Sequence, residues 1–444
     1  MPNRLIIFAL LLVLSKASGQ AAGVTVIEGV NVIPMTEEVV VPNQRVLLAG
    51  GKILRIEPAS TPLREHPVLT IDGRGKYLLP GLSEMHYHFR SKDIGSDFKL
   101  LVANGITTVR NMSEDEGQDQ IAIRQQASSG ALLPLNYFTT GPYLRAKDLQ
   151  TAADVAAVVK RHKERGYDFL KIADNLPASM YLQLLAACQA NSIPVVGHAQ
   201  RALPMEYSTR MKSIEHVEEF AYLAKGDGSV GYVKQDAAAL QALAAQLKAS
   251  GVYIGTTLVG FEFITNCLDD KRFAALQHSE LTKYLSPEGR AGFLTENNDY
   301  RKLRQREFDG QPALVFFDKS FAWMQGFTRV LAANQVPLLT GSDTYGMVIV
   351  GFSLHREFEL LQQLGLKPYD ILLASTVNPA RYLNAYSQAG TVSAGKNADL
   401  VLLDKNPLTD IGHTKSIAGV LVKGRWFARP ALDAMLKEVE QAYK

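Results

Sequence analysis

Six side chains in this sequence have the chemistry of a metal cage: His86, His88, Lys171, His198, His216 and Asp343. Imidazole and carboxylate are ligand types that suit zinc and related divalent ions. Each of the six sits at or just past the end of a short apolar run that reads as a β-strand. The runs are EMHYH at 84–88, DFLKIAD at 168–174, IPVVGHA at 193–199, KSIEHV at 212–217 and VPLLTGSDT at 336–344. In a strand, residues i and i+2 share a face, so His86 and His88 can grip one ion together. Taken singly, each residue has a plainer use: a strand lysine reaches solvent, a lone histidine is a satisfied polar group, and an aspartate after Gly-Ser caps a helix. The combination argues otherwise. Four of nine histidines fall at strand ends in the company of that lysine and aspartate.

One architecture positions such residues together. The middle of the chain alternates strand and helix, with strands expected at 84–88, 105–111, 136–141, 168–173, 194–198, 213–217, 252–258 and 337–342. Eight such strands fit a closed (β/α)8 barrel, in which the C-terminal strand ends share one mouth. Helical stretches such as AADVAAVVKRHKERG and AAALQALAAQLKASG end in a glycine that suits a C-cap. The two ends of the chain instead show β texture, as in QRVLLAGGKILRIEP and SIAGVLVKGRWF. The expected fold class is α/β, with a TIM barrel over 81–387. A small β-sandwich domain is built from 23–80 plus 388–430, and a C-terminal helix spans 431–444. The stretch 259–336 is too long for one helix and rich in aromatics, which makes part of it a candidate lid or substrate wall.

Length and composition bound the rest. With 444 residues, 47% of them hydrophobic, the chain can bury a large core. Its 47 basic and 44 acidic residues nearly balance, which gives no argument for nucleic acid. Residues 1–22 carry Arg4, the apolar run IIFALLLVL and then small residues, the layout of a cleaved secretory signal peptide. That run is shorter than the roughly 20 residues of a membrane span, so no stable anchor is expected after cleavage. The protein is expected to be exported, into a bacterial periplasm. Cys188 and Cys267 are expected to be free thiols.

The pattern resembles the amidohydrolase superfamily, in its imidazolonepropionase-like and prolidase-like branch, over nearly the whole mature chain. The resemblance rests on GLSEMHYH, the lysine of DFLKI, VVGHA, SIEHV and LLTGSDT. Further along it is carried by GFSLHREFELL, TVNPARYLNA and GTVSAGKNADLVLLDKNPL. It implies two divalent ions, zinc being the expected one. His86 and His88 would hold the first with Asp343, His198 and His216 the second, and Lys171 would bridge them as a carbamate. It also implies attack by a metal-bridging hydroxide, with Asp343 passing the proton to the leaving nitrogen. Three departures bear on specificity: Glu84 stands where the family commonly has aspartate, TTGPYLRAKD lacks a histidine some relatives have there, and Glu218 and Glu219 stand where many have glycine.

The expected activity is hydrolysis of an amide bond in dipeptides or N-acyl and aryl-acyl amino acids, ochratoxin-type amides included. The substrate is a small molecule, and nothing in the sequence opposes a homo-oligomer. Tyr143, Arg145, Arg201, Tyr222 and Tyr345 lie just beyond barrel strands and are candidates to hold a substrate carboxylate, for which the arginine fork is apt. His355 is expected to pack on a helix, and His66, His162, His278 and His413 to lie on the surface. A binuclear hydrolase of cyclic amides, imides or lactones is the alternative. A non-catalytic binding protein fits less well, because all six cage residues are present.

Overall fold

The computed structural model describes residues 23–89, 91–225, 237–344 and 348–444. The expected signal peptide at 1–22 and the candidate Tyr345 therefore lie outside the described residues. Five strands open the described chain: β1 (Thr25–Val32), β2 (Val41–Ala49), β3 (Lys52–Pro58), β4 (Leu69–Asp72) and β5 (Tyr77–Pro80). Eight short parallel strands follow. They are β6 (Leu82–Tyr87), β7 (Ile106–Asn111), β8 (Asn136–Thr139), β9 (Leu170–Ile172), β10 (Val195–Gly197), β11 (Ser213–Ile214), β12 (Tyr253–Gly255) and, beyond a hairpin of β13 (Glu307–Phe308) and β14 (Gln311–Pro312), β15 (Leu338–Leu339). Three more strands close the sheet count: β16 (Leu400–Leu403), β17 (Ile417–Val422) and β18 (Arg425–Ala428).

The parallel strands fall where the apolar runs place them, but their ladders are shorter than expected. They pair as two ribbons, β6-β7-β8 and β15-β12-β11-β10-β9, rather than as one continuous eight-stranded cylinder. Between the ribbons, isolated bonds replace ladders. On one side Met85 N–H donates to the Thr340 carbonyl at 3.0 Å. On the other Asp168 N–H donates to the Thr139 carbonyl at 2.9 Å, Leu144 N–H to the Lys171 carbonyl at 2.7 Å and Ala173 N–H to the Leu144 carbonyl at 2.8 Å. The fold is thus α/β of TIM-barrel type. Helices follow the strands as the sequence suggests. Thr151 and Asp154 form a capping box on the helix Ala152–Arg165, and Gly166 ends it with φ 76°, a left-handed turn that glycine adopts without strain.

The terminal strands pair with each other across the length of the chain. One sheet of eight strands runs β18-β17-β16-β5-β1-β2-β3, with β4 on β1. The pairing joins strands from both ends of the chain in one connected sheet. β16 shows why the sheet holds to the rest of the molecule. Its Leu400 and Leu402 pack with Ile27, Val46 and Ile53, while Val401 and Leu403 on the other face join the main core with Leu79 and Ile106. Burial of each such side chain contributes about 1.5–3 kcal/mol. The C-terminal helix spans Arg429–Ala442, with Pro430 in its first turn, and packs on the helix Ile94–Ala103.

The stretch 259–336 folds largely into helices, among them Leu258–Leu268 and the long Ala313–Ala333. Most of its aromatics pack these helices together: the rings of Phe261 and Phe317 lie 5.8 Å apart, and Trp323 and Phe327 5.4 Å apart. Cys188 and Cys267 are free and buried, as expected.

Candidate metal centre

The strand ends bring the six cage residues to one mouth. Asp343, just past β15, has Oδ1 3.2 Å from His88 Nε2 and 3.7 Å from His86 Nε2. Its Oδ2 lies 3.9 Å from His216 Nδ1. Lys171 Nζ lies 3.3 Å from His86 Nε2. The His86 and His216 rings are 4.5 Å apart, and those of His198 and His216 5.0 Å apart. The chemistry of this donor set fits a metal ion. Ligand atoms of His86, His88 and Asp343 lie within 4.8 Å of one another, so this group could hold one. Burial, and after it the Lys171 charge, lowers the His86 pKa to about 3, so its ring is neutral and has a lone pair to give.

All four histidines are oriented the same way, by a partner on Nδ1. Glu215 Oε2 lies 3.1 Å from His86 Nδ1, and Ser113 Oγ 2.9 Å from His88 Nδ1. Glu219 Oε1 lies 2.7 Å from His198 Nδ1, and Thr257 Oγ1 2.8 Å from His216 Nδ1. Engaging one ring nitrogen sets the direction of the ring, and the acceptor-only carboxylates on His86 and His198 also place the proton on Nδ1, which is how ligating histidines are commonly held. The two carboxylates stay ionised although burial opposes it. Arg110, itself fully buried, donates to Glu215 at 2.8 Å and holds its pKa well below the usual range. For Glu219, His198 and Arg201 offset the burial and bring the pKa to about 2. Three non-glycine residues around the mouth hold left-handed backbones: His216 (φ 71°), Thr257 (φ 46°) and Asp343 (φ 48°). Such strain gathers where a site must be pre-set.

Glu84 has a structural part. It accepts from the His86 and Ser342 backbone N–H groups at 3.0 and 2.9 Å and from the Ser342 hydroxyl at 2.6 Å, tying β6 to the end of β15. Its added methylene, relative to aspartate, lets it reach both segments.

A cavity of about 320 Å³ opens over the centre, lined by His88, Lys171, His198, His216 and Asp343. Of the residues expected to hold a substrate, Tyr143 and Arg145 line it. Arg201 and Tyr222 do not. The Arg201 Nε and Nη2 groups donate to Glu219, and its guanidinium stacks 3.8 Å over the Tyr222 ring, so its part here is to hold Glu219. Phe261, Phe263 and Tyr300 make an apolar wall, and Glu218 an acidic one. The three aromatics come from the stretch 259–336, part of which was expected to form a substrate wall; Glu218 was not marked as a substrate contact, although it had shown itself as a departure from the family pattern. His355 packs as expected, between Thr414 and the Asn104 carbonyl. His162 does not lie on the surface; it is buried against Tyr167, with Nδ1 on the Val158 carbonyl one turn back.

A sequence profile of the amidohydrolase family matches residues 77–427. The chain belongs to that family and is, with it, a hydrolytic enzyme. Over 200 residues it is 27% identical to an adenine deaminase of Chelativorans sp. (strain BNC1), covering 41% of this chain and 33% of that protein. Over 93 residues it is 31% identical to an imidazolonepropionase of Thermoplasma volcanium, covering 20% of this chain and 22% of that one. The chain thus spans a third or less of the length of these curated relatives. Among solved structures, bottromycin amidohydrolase superposes with a TM-score of 0.72 at 22% identity over 94% of this chain and 90% of its own. A Xaa-Pro dipeptidase with bound methionine gives 0.66 at 17% identity over 91% and 100%. Ochratoxinase of A. niger gives 0.65 at 14% over 92% and 96%. At these identities the likeness shows the fold.

Proposed function

We propose that this enzyme hydrolyses an amide bond of a small substrate with a free carboxylate, a dipeptide or an N-acyl amino acid. The observation that carries the reading is the convergence of four anchored histidines, Lys171 and Asp343 under a cavity with Arg145 on its wall. Two divalent ions, zinc being our choice, would be held by His86, His88 and Asp343 and by His198 and His216, and would polarise the amide carbonyl and acidify the attacking water. Lys171 would help hold them as a carbamate, because a free ammonium beside His86 would repel a dication whereas a carbamate would offer two anionic oxygens. Asp343 takes a proton from the water as it adds to the carbonyl carbon. It returns that proton to the nitrogen as the C–N bond breaks. Arg145 binds the substrate carboxylate; its present contacts, 3.3 Å to the Tyr143 hydroxyl and 3.5 Å to Asp174, are long and readily exchanged. The structural likeness to a Xaa-Pro dipeptidase and to ochratoxinase supports amide substrates.

The test is an amino-acid release screen with metal-loaded protein in bicarbonate buffer, over dipeptides and N-acyl amino acids covering all C-terminal residues. Release confined to a few residues supports the proposal. No release from protein carrying two metals refutes it and favours cyclic amides and lactones. We read the two parts of the molecule as a closed barrel and an accompanying sandwich domain, as in an amidohydrolase fold; an experimental structure with an open strand seam would overturn this. Export is our reading of residues 1–22. An intact Met1 on protein recovered from a bacterial host's periplasm would refute cleavage. Among the described residues no helix is long and apolar enough to cross a membrane.

A further inference from the structure

Glu218 is an acidic group on the cavity wall that the hydrolytic chemistry does not use. It lines the cavity with His198, His216 and Asp343. Its neighbour Glu219 has both nearby donors, His198 Nδ1 and the Arg201 fork. Among the described residues, none donates a hydrogen bond to the Glu218 carboxylate, although it is half-buried. His198 and Arg201 act on it through their charge but give their hydrogen bonds to Glu219; Phe261, Phe263 and Tyr300 are aromatic, and Arg145 turns to Tyr143 and Asp174. A half-buried carboxylate without a donor is costly until a cation or donor arrives with the ligand. The cavity thus presents one anionic and one cationic side chain beside the metal centre. That is the complement of a zwitterion.

We propose that Glu218 binds the free ammonium of the substrate, so that the enzyme selects unblocked dipeptides over N-acyl amino acids. This rests on reading the site as an amide hydrolase. Bound this way, a dipeptide spans the cavity with its carboxylate toward Arg145, its amine toward Glu218 and its amide over the centre. An N-acetyl group would remove the charge that Glu218 reads and leave the carboxylate without a partner.

The experiment compares kcat/KM for a dipeptide and its Nα-acetyl derivative, sharing one C-terminal residue, on the metal-loaded full chain. Wild type should favour the free amine by about 10- to 100-fold, the range of a hydrogen bond to a charged group. Glu218→Gln should collapse that ratio toward one, with its metal content at the wild-type level, and Glu218→Asp should keep most of it. A ratio that persists in Glu218→Gln, or wild-type turnover of both substrates without preference, overturns the assignment alone. So does loss of metal from Glu218→Gln, which would make the residue a ligand. Turnover of neither substrate by wild type refutes the amide-hydrolase reading and the assignment with it.

Discussion

Each histidine at the mouth has one ring nitrogen engaged, and the partners differ in kind: two carboxylates for His86 and His198, two hydroxyls for His88 and His216. The carboxylates make the imidazoles more basic and better ligands. Glu219→Gln should therefore weaken metal binding by about 10- to 100-fold, measured by chelator competition; wild-type affinity would show that Glu219 serves Arg201 alone. Lys171→Ala should lose both activity and the second metal, with partial recovery on adding short carboxylic acids. Full zinc and full turnover in that variant would refute the carbamate. At this scale the sequence was readable where chemistry and strand position coincide, as for His86, His88, His198, His216 and Asp343. The anchors were not readable. Ser113 and Thr257 find His88 and His216, and Arg110 finds Glu215 behind His86, only through space, and nothing local distinguishes them from ordinary polar residues.

The strands that carry these residues are short, and one of them depends on the absence of a side chain. Gly197 in β10 has φ 134°, and a Cβ there would lie 2.1 Å from the Ile172 carbonyl oxygen of β9. Neither backbone can yield, because Lys171 and His198 flank the contact on the two strands. Gly197→Ala should cost about 3 kcal/mol in urea unfolding and should displace His198, lowering activity as well. A stable and active variant would mean that β9 and β10 are less tightly fixed than their pairing implies. All eight strand positions were legible as apolar runs, since parallel strands buried on both faces read that way. Their exact ladders were not, because hydrogen bonding ends where the chain bends to form the mouth. The use of the aromatics in 259–336 was also hidden. Composition alone cannot separate Phe316 and Phe327, which are buried between helices, from Phe261 and Phe263, which reach the cavity.

For the molecule as a whole, buried titratable groups link stability to pH. Burial lowers the His355 pKa to about 4, against an ordinary value near 6.5. Folded protein therefore binds fewer protons than unfolded protein between those values, and stability falls as pH drops from about 6.5 toward 4. Glu84, Asp97 and Glu357, pushed up to about 7 by burial, act in the opposite sense: the stability they contribute is present below about 4.3 and is lost as pH rises through 7. The difference between wild type and His355→Gln isolates the histidine. The variant's urea midpoint should fall less than wild type's between pH 6.5 and 4, and parallel curves would show that His355 is charged in the fold.

The sheet that joins β5 to β16 has a consequence for how the protein is made. Leu78 and Leu79 find their partners Leu402 and Val401 only when nearly the whole chain has left the ribosome. Until then β5 offers an open edge, and the apolar face of the first strands has no cover. Such distant pairing makes for slow assembly. The early strands spend that interval as the part of the nascent chain most in need of a chaperone.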